Sequence, residues 1–156
     1  MEKLKTTLLL VIKNNKILLA QKKRGFGESK FNGVGGKVEG NETFEEAMLR
    51  ETMEEVKITP VDYTQLATIT FDEYVKGKKT IVEMALFVAK DLIGKPKETE
   101  EMRPVWFDLK EIPFDRMFPD DSYWMPYVLA GKHFNAKFKF DENFNLLSHS
   151  IDVVSE

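Results

Sequence analysis

The sequence predicts a mixed α+β domain with more strand than helix, and three observations carry that expectation. Residues 6 to 12 and 17 to 20 are apolar runs joined only by Lys13, Asn14, Asn15 and Lys16, and asparagine tolerates the positive φ of a hairpin turn. Thr43 followed by Glu46 forms a capping box, which opens a helix of about 15 residues ending near Lys57 and Pro60. Residues 134 to 141 alternate, with Phe134, Ala136, Phe138 and Phe140 on one side and Asn135, Lys137, Lys139 and Asp141 on the other. That is the pattern of a half-buried strand.

The remaining elements follow in order. Residues 22 to 40 carry six glycines and read as a long loop with one short strand. Two strand-like stretches come next, 66 to 71 and 81 to 89, the second placing Val82, Met84, Leu86 and Val88 on one face. The basic run 76 to 79 between them is the expected hairpin tip. Val105, Trp106 and Phe107 suggest a short strand and residues 121 to 130 a second helix. No repeat or linker divides the 156 residues, so residues 1 to 156 are expected to form one domain.

Composition excludes several function classes. Twenty-six acidic against 23 basic residues leave a net charge of −3, which lacks the electrostatic footprint of a duplex DNA binder. No apolar stretch approaches the roughly 20 residues of a spanning helix. With no cysteine there is no disulfide framework and no thiolate metal site, and two histidines are too few for a histidine metal centre. A cytoplasmic chain with neither nucleic-acid nor membrane partner is the expectation.

The window 39 to 55 holds seven acids against the single Arg50. At 100° per residue, Phe44, Ala47, Met48, Glu51, Glu54, Glu55 and Ile58 share one stripe, an apolar face with three carboxylates set into it. Crowded carboxylates on a partly buried face need either raised pKa values or a cation, and hard oxygen donors select Mg²⁺, Mn²⁺ or Ca²⁺. Upstream, Gly35 and Gly36 let the backbone turn tightly against this helix.

Taken as one string, residues 36 to 58 read GKVEGNETFEEAMLRETMEEVKI and resemble the Nudix box, G x5 E x7 R E U x E E x G U, where U is a bulky aliphatic residue. Gly36, Glu42, Arg50, Glu51, Glu54, Glu55 and Ile58 match its spacing. Thr52 stands where the box has an aliphatic residue and Lys57 where it has glycine. The resemblance implies the Nudix fold, a mixed β-sheet sandwiched between helices. It also implies hydrolysis of a nucleoside diphosphate linked to another group, with Mg²⁺ as cofactor or Mn²⁺ in its place. Glu51, Glu54, Glu55, Glu101 and the Gly36 carbonyl would be metal ligands. Glu55, Glu51 and Arg50 would form the catalytic set, Arg50 by holding the glutamates through charge-assisted hydrogen bonds.

The segments KKRGFG, FNGVGGKV, EMRPVWF and FPDDSYW are similar to those of the animal MutT-homologue branch, the oxidised purine nucleoside triphosphatases. That branch would cleave modified purine nucleotides such as 8-oxo-dGTP, 2-hydroxy-dATP and O6-methyl-dGTP to the monophosphate and pyrophosphate. The small-molecule nucleotide would be held by Thr7, Lys22, Phe26, Asn32, Phe71, Phe118, Asp120, Asp121 and Trp124, and the enzyme would act as a monomer. Phe118 replaces the tryptophan usual in the branch and offers a smaller stacking surface. Aromatic walls supply stacking worth roughly 1–3 kcal/mol per base, and aspartates accept from guanine N1 and N2 hydrogens. Two neighbouring aspartates also repel, and a protonated one would donate. Two readings stand beside this one: a Nudix pyrophosphatase for another nucleotide-linked substrate, and a nucleotide-binding module without turnover. Asp120 or Asp121 could also be no more than a helix cap, and residues 22 to 24 no more than a solvated loop.

Overall fold

In the computed structural model of the chain, which describes residues 1–155, Asn14 and Asn15 both lie in the left-handed region, at φ 55° and 62°. They close the hairpin between β1 (Glu2–Lys13) and β2 (Lys16–Lys22), with Lys13 opposite Lys16. After β3 (Phe31–Asn32) comes α1 (Phe44–Val56), then β4 (Thr59–Val75), β5 (Lys78–Ile93) and β6 (Met102–Asp108). Two single 3₁₀ turns lead to α2 (Asp121–Leu129), β7 (His133–Phe140) and β8 (Leu146–Ser155). The strands make one mixed sheet in the order β3-β2-β1-β5-β4-β7-β8, with β6 on the other edge of β2.

The sheet separates two apolar clusters, which explains why β1 and β2 read as continuous apolar runs rather than alternating ones. Leu8, Leu10, Ile17 and Leu19 face the cluster that holds Trp124, Met125 and Val128 of α2. Leu9, Val11, Leu18 and Ala20 face the other, with Met48 and Val56 of α1. One helix thus covers each face.

The expected elements are present, with differences at their ends. The strands expected at 66–71 and 81–89 run to 17 and 16 residues, because their polar ends pair beyond the edge of the core. The hairpin tip narrows to Lys76 and Gly77, both at positive φ. β8 has no counterpart in the sequence reading: Ser148, His149 and Ser150 are exposed, and hydrogen bonds to β7 make the strand rather than an apolar pattern. α1 is 13 residues long, its capping box is formed, and Lys57 ends it in the left-handed conformation at φ 65°. Its buried face is Ala47, Met48, Thr52, Glu55 and Val56. This corrects the expected stripe: Thr52 and Val56 turn to the sheet, and Glu54 moves to the flank with its side chain 59% exposed. Among the described residues no helix is long and apolar enough to cross a membrane.

Candidate active site

Arg50 organises the acidic face of α1. Its Nε and Nη2 donate to the two carboxylate oxygens of Glu42 at 2.6 and 3.0 Å, a bidentate pair that fixes the guanidinium plane. Nη1 donates to Glu51 at 2.7 Å and to Glu54 at 3.3 Å, and Nη2 also reaches the Lys37 carbonyl at 3.0 Å. The Arg50 pKa is raised by these bonds, that of Glu42 is lowered by them, and the positive charge is permanent. Glu51 behaves differently. Burial lifts its carboxyl above the ordinary value despite the Arg50 hydrogen bond, because partial removal from water outweighs one ion pair.

The glycine pair brings the loop backbone against β1 and α1. Thr7 N–H donates to the Gly36 carbonyl at 2.9 Å, and a Cβ on Gly35 would overlap the Thr7 carbonyl. A Cβ on Gly36 would overlap the Glu51 carboxylate. Gly35 N–H donates to Glu55 at 3.1 Å. Glu55 is 6% exposed. Burial first, then repulsion from Glu51, pushes its pKa up to about 8 against the opposing Gly35 hydrogen bond, with Glu101 adding to the rise and Lys22 countering it.

Among the described residues no three carboxylate or imidazole groups stand close enough to hold an ion as placed. The donor chemistry fits a hard divalent cation all the same. Glu55 is a buried carboxyl with no ion pair among the described residues, Glu51 and Glu101 repel it, and the Gly36 carbonyl keeps a second lone pair beside them. The side chains of Glu54 and Glu101 are exposed.

Beyond the same loop lies a cavity of about 150 Å³. Seven of the sequence candidates line it: Phe26, Asn32, Phe71, Phe118, Asp120, Asp121 and Trp124. Its size suits one planar ring system better than a whole nucleotide, since sites for entire small ligands run to roughly 300–1,000 Å³. Phe26 is 67% exposed at the mouth and stacks on Phe118 at 5.8 Å, with Phe144 edge-on to both. Trp124 is fully buried, and its indole N–H donates to Asp120 at 2.9 Å. It holds an aspartate rather than presenting a free stacking face. Asp121 accepts from the Phe118 backbone N–H at 2.9 Å, and Asn32 accepts from Gly33 N–H at 2.9 Å, its amide donating to no described residue. Burial raises the pKa of both aspartates, Asp121 the more because Asp120 repels it.

Two candidates lie outside this cavity. Thr7 is buried on β1 with no partner for its hydroxyl among the described residues. Lys22, at the end of β2, lies within electrostatic reach of Glu55. Glu73 and Phe144 line the cavity and escaped the sequence reading. A larger cavity of about 620 Å³ lies toward the other end of β4, among Tyr63, Leu66, Val88 and His133. It shares no residue with the carboxylate helix or the small cavity, so volume alone does not locate the chemistry.

Residues 3–128 match the model of the NUDIX domain. The chain belongs to the Nudix family. Along its length it is 43% identical over 148 residues, 95% of this chain and 94% of the relative, to the oxidized purine nucleoside triphosphate hydrolase of Mus musculus. It is 41% identical over 150 residues, 96% and 95% of the two chains, to the protein of the same name from Danio rerio. Among solved structures it is similar to a MutT protein from Bacillus halodurans, with TM-score 0.83 and 25% identity over 96% of this chain and 97% of that one. The α+β architecture is that of the Nudix fold, and Nudix hydrolases generally need a divalent metal.

Proposed function

We propose that this Nudix hydrolase cleaves oxidised or otherwise modified purine nucleoside triphosphates, 8-oxo-dGTP first among them, to the monophosphate and pyrophosphate. In doing so it would clear damaged nucleotides from the pool. The observation that carries the reading is one loop serving two sites. Asn32 lines the aromatic and aspartate cavity, while Gly35 and Gly36 abut Glu55 and Glu51. A base in the cavity would lead its phosphates along this loop toward the carboxylates. The names of the two relatives support the same substrate class.

Mg²⁺, or Mn²⁺ in its place, would be held by Glu51, Glu54, Glu55, Glu101 and the Gly36 carbonyl, and when bound it supplies charge neutralisation on the pyrophosphate and activation of water. Arg50 is a positioning residue, fixing Glu51 relative to the loop. Lys22 would pair with phosphate oxygens. One of the box glutamates Glu51, Glu54 and Glu55 would also take the proton of the attacking water. Asp120 and Asp121, which share a hydrogen bond, would meet the base edge, and the Asn32 amide would donate to a base carbonyl. The enzyme would act in the cytoplasm as a monomer.

Steady-state turnover with Mg²⁺ on 8-oxo-dGTP, 2-hydroxy-dATP, O6-methyl-dGTP and dGTP tests this, with pyrophosphate and orthophosphate scored separately. The reading expects a higher kcat/KM for a modified purine than for dGTP, with pyrophosphate released. Uniformly poor turnover of all four would overturn the base assignment and move the search to other diphosphate-linked nucleotides.

A further inference from the structure

The base cavity contains a third carboxyl group, Glu73 of β4, which neither the box nor the aspartate pair accounts for. It follows Phe71 by two residues and lies opposite Thr80 in the β4–β5 ladder, so it shares the face on which Phe71 walls the cavity. Each of the other polar groups of the cavity already has a hydrogen-bond partner. Asp120 is held by the Trp124 indole, Asp121 by the Phe118 backbone, and the Asn32 oxygen by Gly33. Thr80, the nearest hydroxyl across the ladder, donates to the Lys78 carbonyl at 2.9 Å. Glu73 has no hydrogen bond or ion pair with any described residue, so both its oxygens are available.

We infer that Glu73 is a specificity-determining residue of this cavity, accepting a hydrogen bond from the N7–H that only an oxidised guanine carries. The inference deepens the substrate reading above and rests on it. The donor count supports it. Guanine carries N1–H and two amino N–H donors on one edge, the edge that carboxyls such as Asp120 and Asp121 would meet. Oxidation at C8 puts a proton on N7, and only then does the opposite edge of the base carry an N–H donor for an acceptor there. In the unoxidised base N7 is a lone pair, and a carboxylate facing it repels. One residue therefore both favours the oxidised base and disfavours the ordinary one. Burial and the neighbouring Asp120 push the Glu73 pKa up to about 7, as befits a carboxylate awaiting a donor from a ligand.

Calorimetric titration of the full chain with 8-oxo-dGMP and with dGMP, Mg²⁺ present, tests the inference without depending on turnover. Wild type is expected to bind 8-oxo-dGMP the more tightly. Glu73→Leu is expected to shrink that preference by about tenfold to a hundredfold, the worth of a hydrogen bond to a charged group. Its melting temperature should not fall, since an unpartnered half-buried carboxyl is removed. Glu73→Gln, nearly isosteric, keeps an acceptor without the charge and should lose part of the preference; it carries the test should leucine disturb folding. A wild-type preference left intact in both variants, or an equal loss for both nucleotides, would overturn the inference and leave the substrate reading standing. Equal or absent binding by wild type itself would remove the base-cavity reading, and this inference with it.

Discussion

The carboxylate of Glu51 occupies the space that any side chain on Gly36 would need. The glycine of the box is therefore a packing requirement of its glutamate, on top of the tight turn it permits. The obstacle to Gly36→Ala is the end of a flexible side chain, so the fold can absorb the change by moving Glu51. The expected outcome is a melting temperature within about 2 °C of wild type and a kcat/KM lower by about a hundredfold, the cost of misplacing a reacting group by an ångström. Gly35→Ala is the contrast, because its Cβ would meet the Thr7 backbone, which cannot move without opening β1. Thermal melting of both variants separates the two cases: Gly35→Ala should lose stability first and activity as a result.

Arg50 has four hydrogen-bond partners, and lysine can replace only part of that set. A lysine ammonium cannot make the bidentate bond to Glu42 and reach Glu51 at once. Arg50→Lys is expected to lower kcat by about tenfold to a hundredfold with little change in KM, since Arg50 acts through the glutamates. Adding Glu42→Gln to Arg50→Lys should cost much less than the two single losses combined, because both remove the same anchor. Fully additive kinetics would sink the anchor argument.

Glu55→Gln should separate stability from chemistry. The amide still accepts from Gly35 N–H, and it removes a buried carboxyl whose negative form is disfavoured by Glu51. Without metal the variant is expected to melt above wild type. Added Mg²⁺ or Mn²⁺ should stabilise wild type and raise the variant much less, with turnover down by a thousandfold or so. Equal stabilisation of both by metal would remove Glu55 from the ligand set.

Glu73 sets a pH dependence of its own. Its pKa rises from 4.5 to about 7 on folding, through burial and then Asp120. A carboxyl with a raised pKa binds its proton more tightly in the folded chain, so its contribution to stability is complete below about 4.5 and is lost as pH rises through about 7. The metal-free wild type is expected to lose melting temperature across that window and Glu73→Gln to lose less. Asp120 and Asp121 titrate in both proteins, so the difference between the two curves reports Glu73 together with its repulsion of Asp120. Parallel curves would mean that water at the mouth of the cavity solvates the group fully.

What the sequence made legible was local or rigidly spaced. The Asn14 and Asn15 turn, the Thr43 capping box and the alternation of β7 each depend on residues within a few positions, and all are present. β8 was illegible because its partner, not its own pattern, makes it a strand. Glu73 was illegible for a related reason. It lies among Asp72 and Tyr74 near a hairpin tip, where charge usually means solvent, and only the packing of α2 and the loop carrying Phe26 against β4 encloses it. Trp124 reads as a stacking wall, yet its full burial makes it the holder of Asp120.

The two departures from the box cost stability and leave chemistry alone. Lys57 takes the left-handed conformation that glycine would adopt without strain, and it does so at the exposed end of α1. Lys57→Gly is expected to stabilise the chain by about 0.5–1 kcal/mol, or about 1–3 °C. Thr52 is fully buried with its hydroxyl unpartnered among the described residues, where the box has an aliphatic side chain. Thr52→Val keeps the shape and removes the polar atom, for a gain of about 1–2 kcal/mol. The two sites touch different surroundings, Lys57 at the helix end and Thr52 against the sheet, so the gains should add. kcat/KM should stay at the wild-type value in both variants and in the pair. A loss of turnover in Thr52→Val would instead mean that the hydroxyl positions Glu51 or Glu55 from the buried side of the helix.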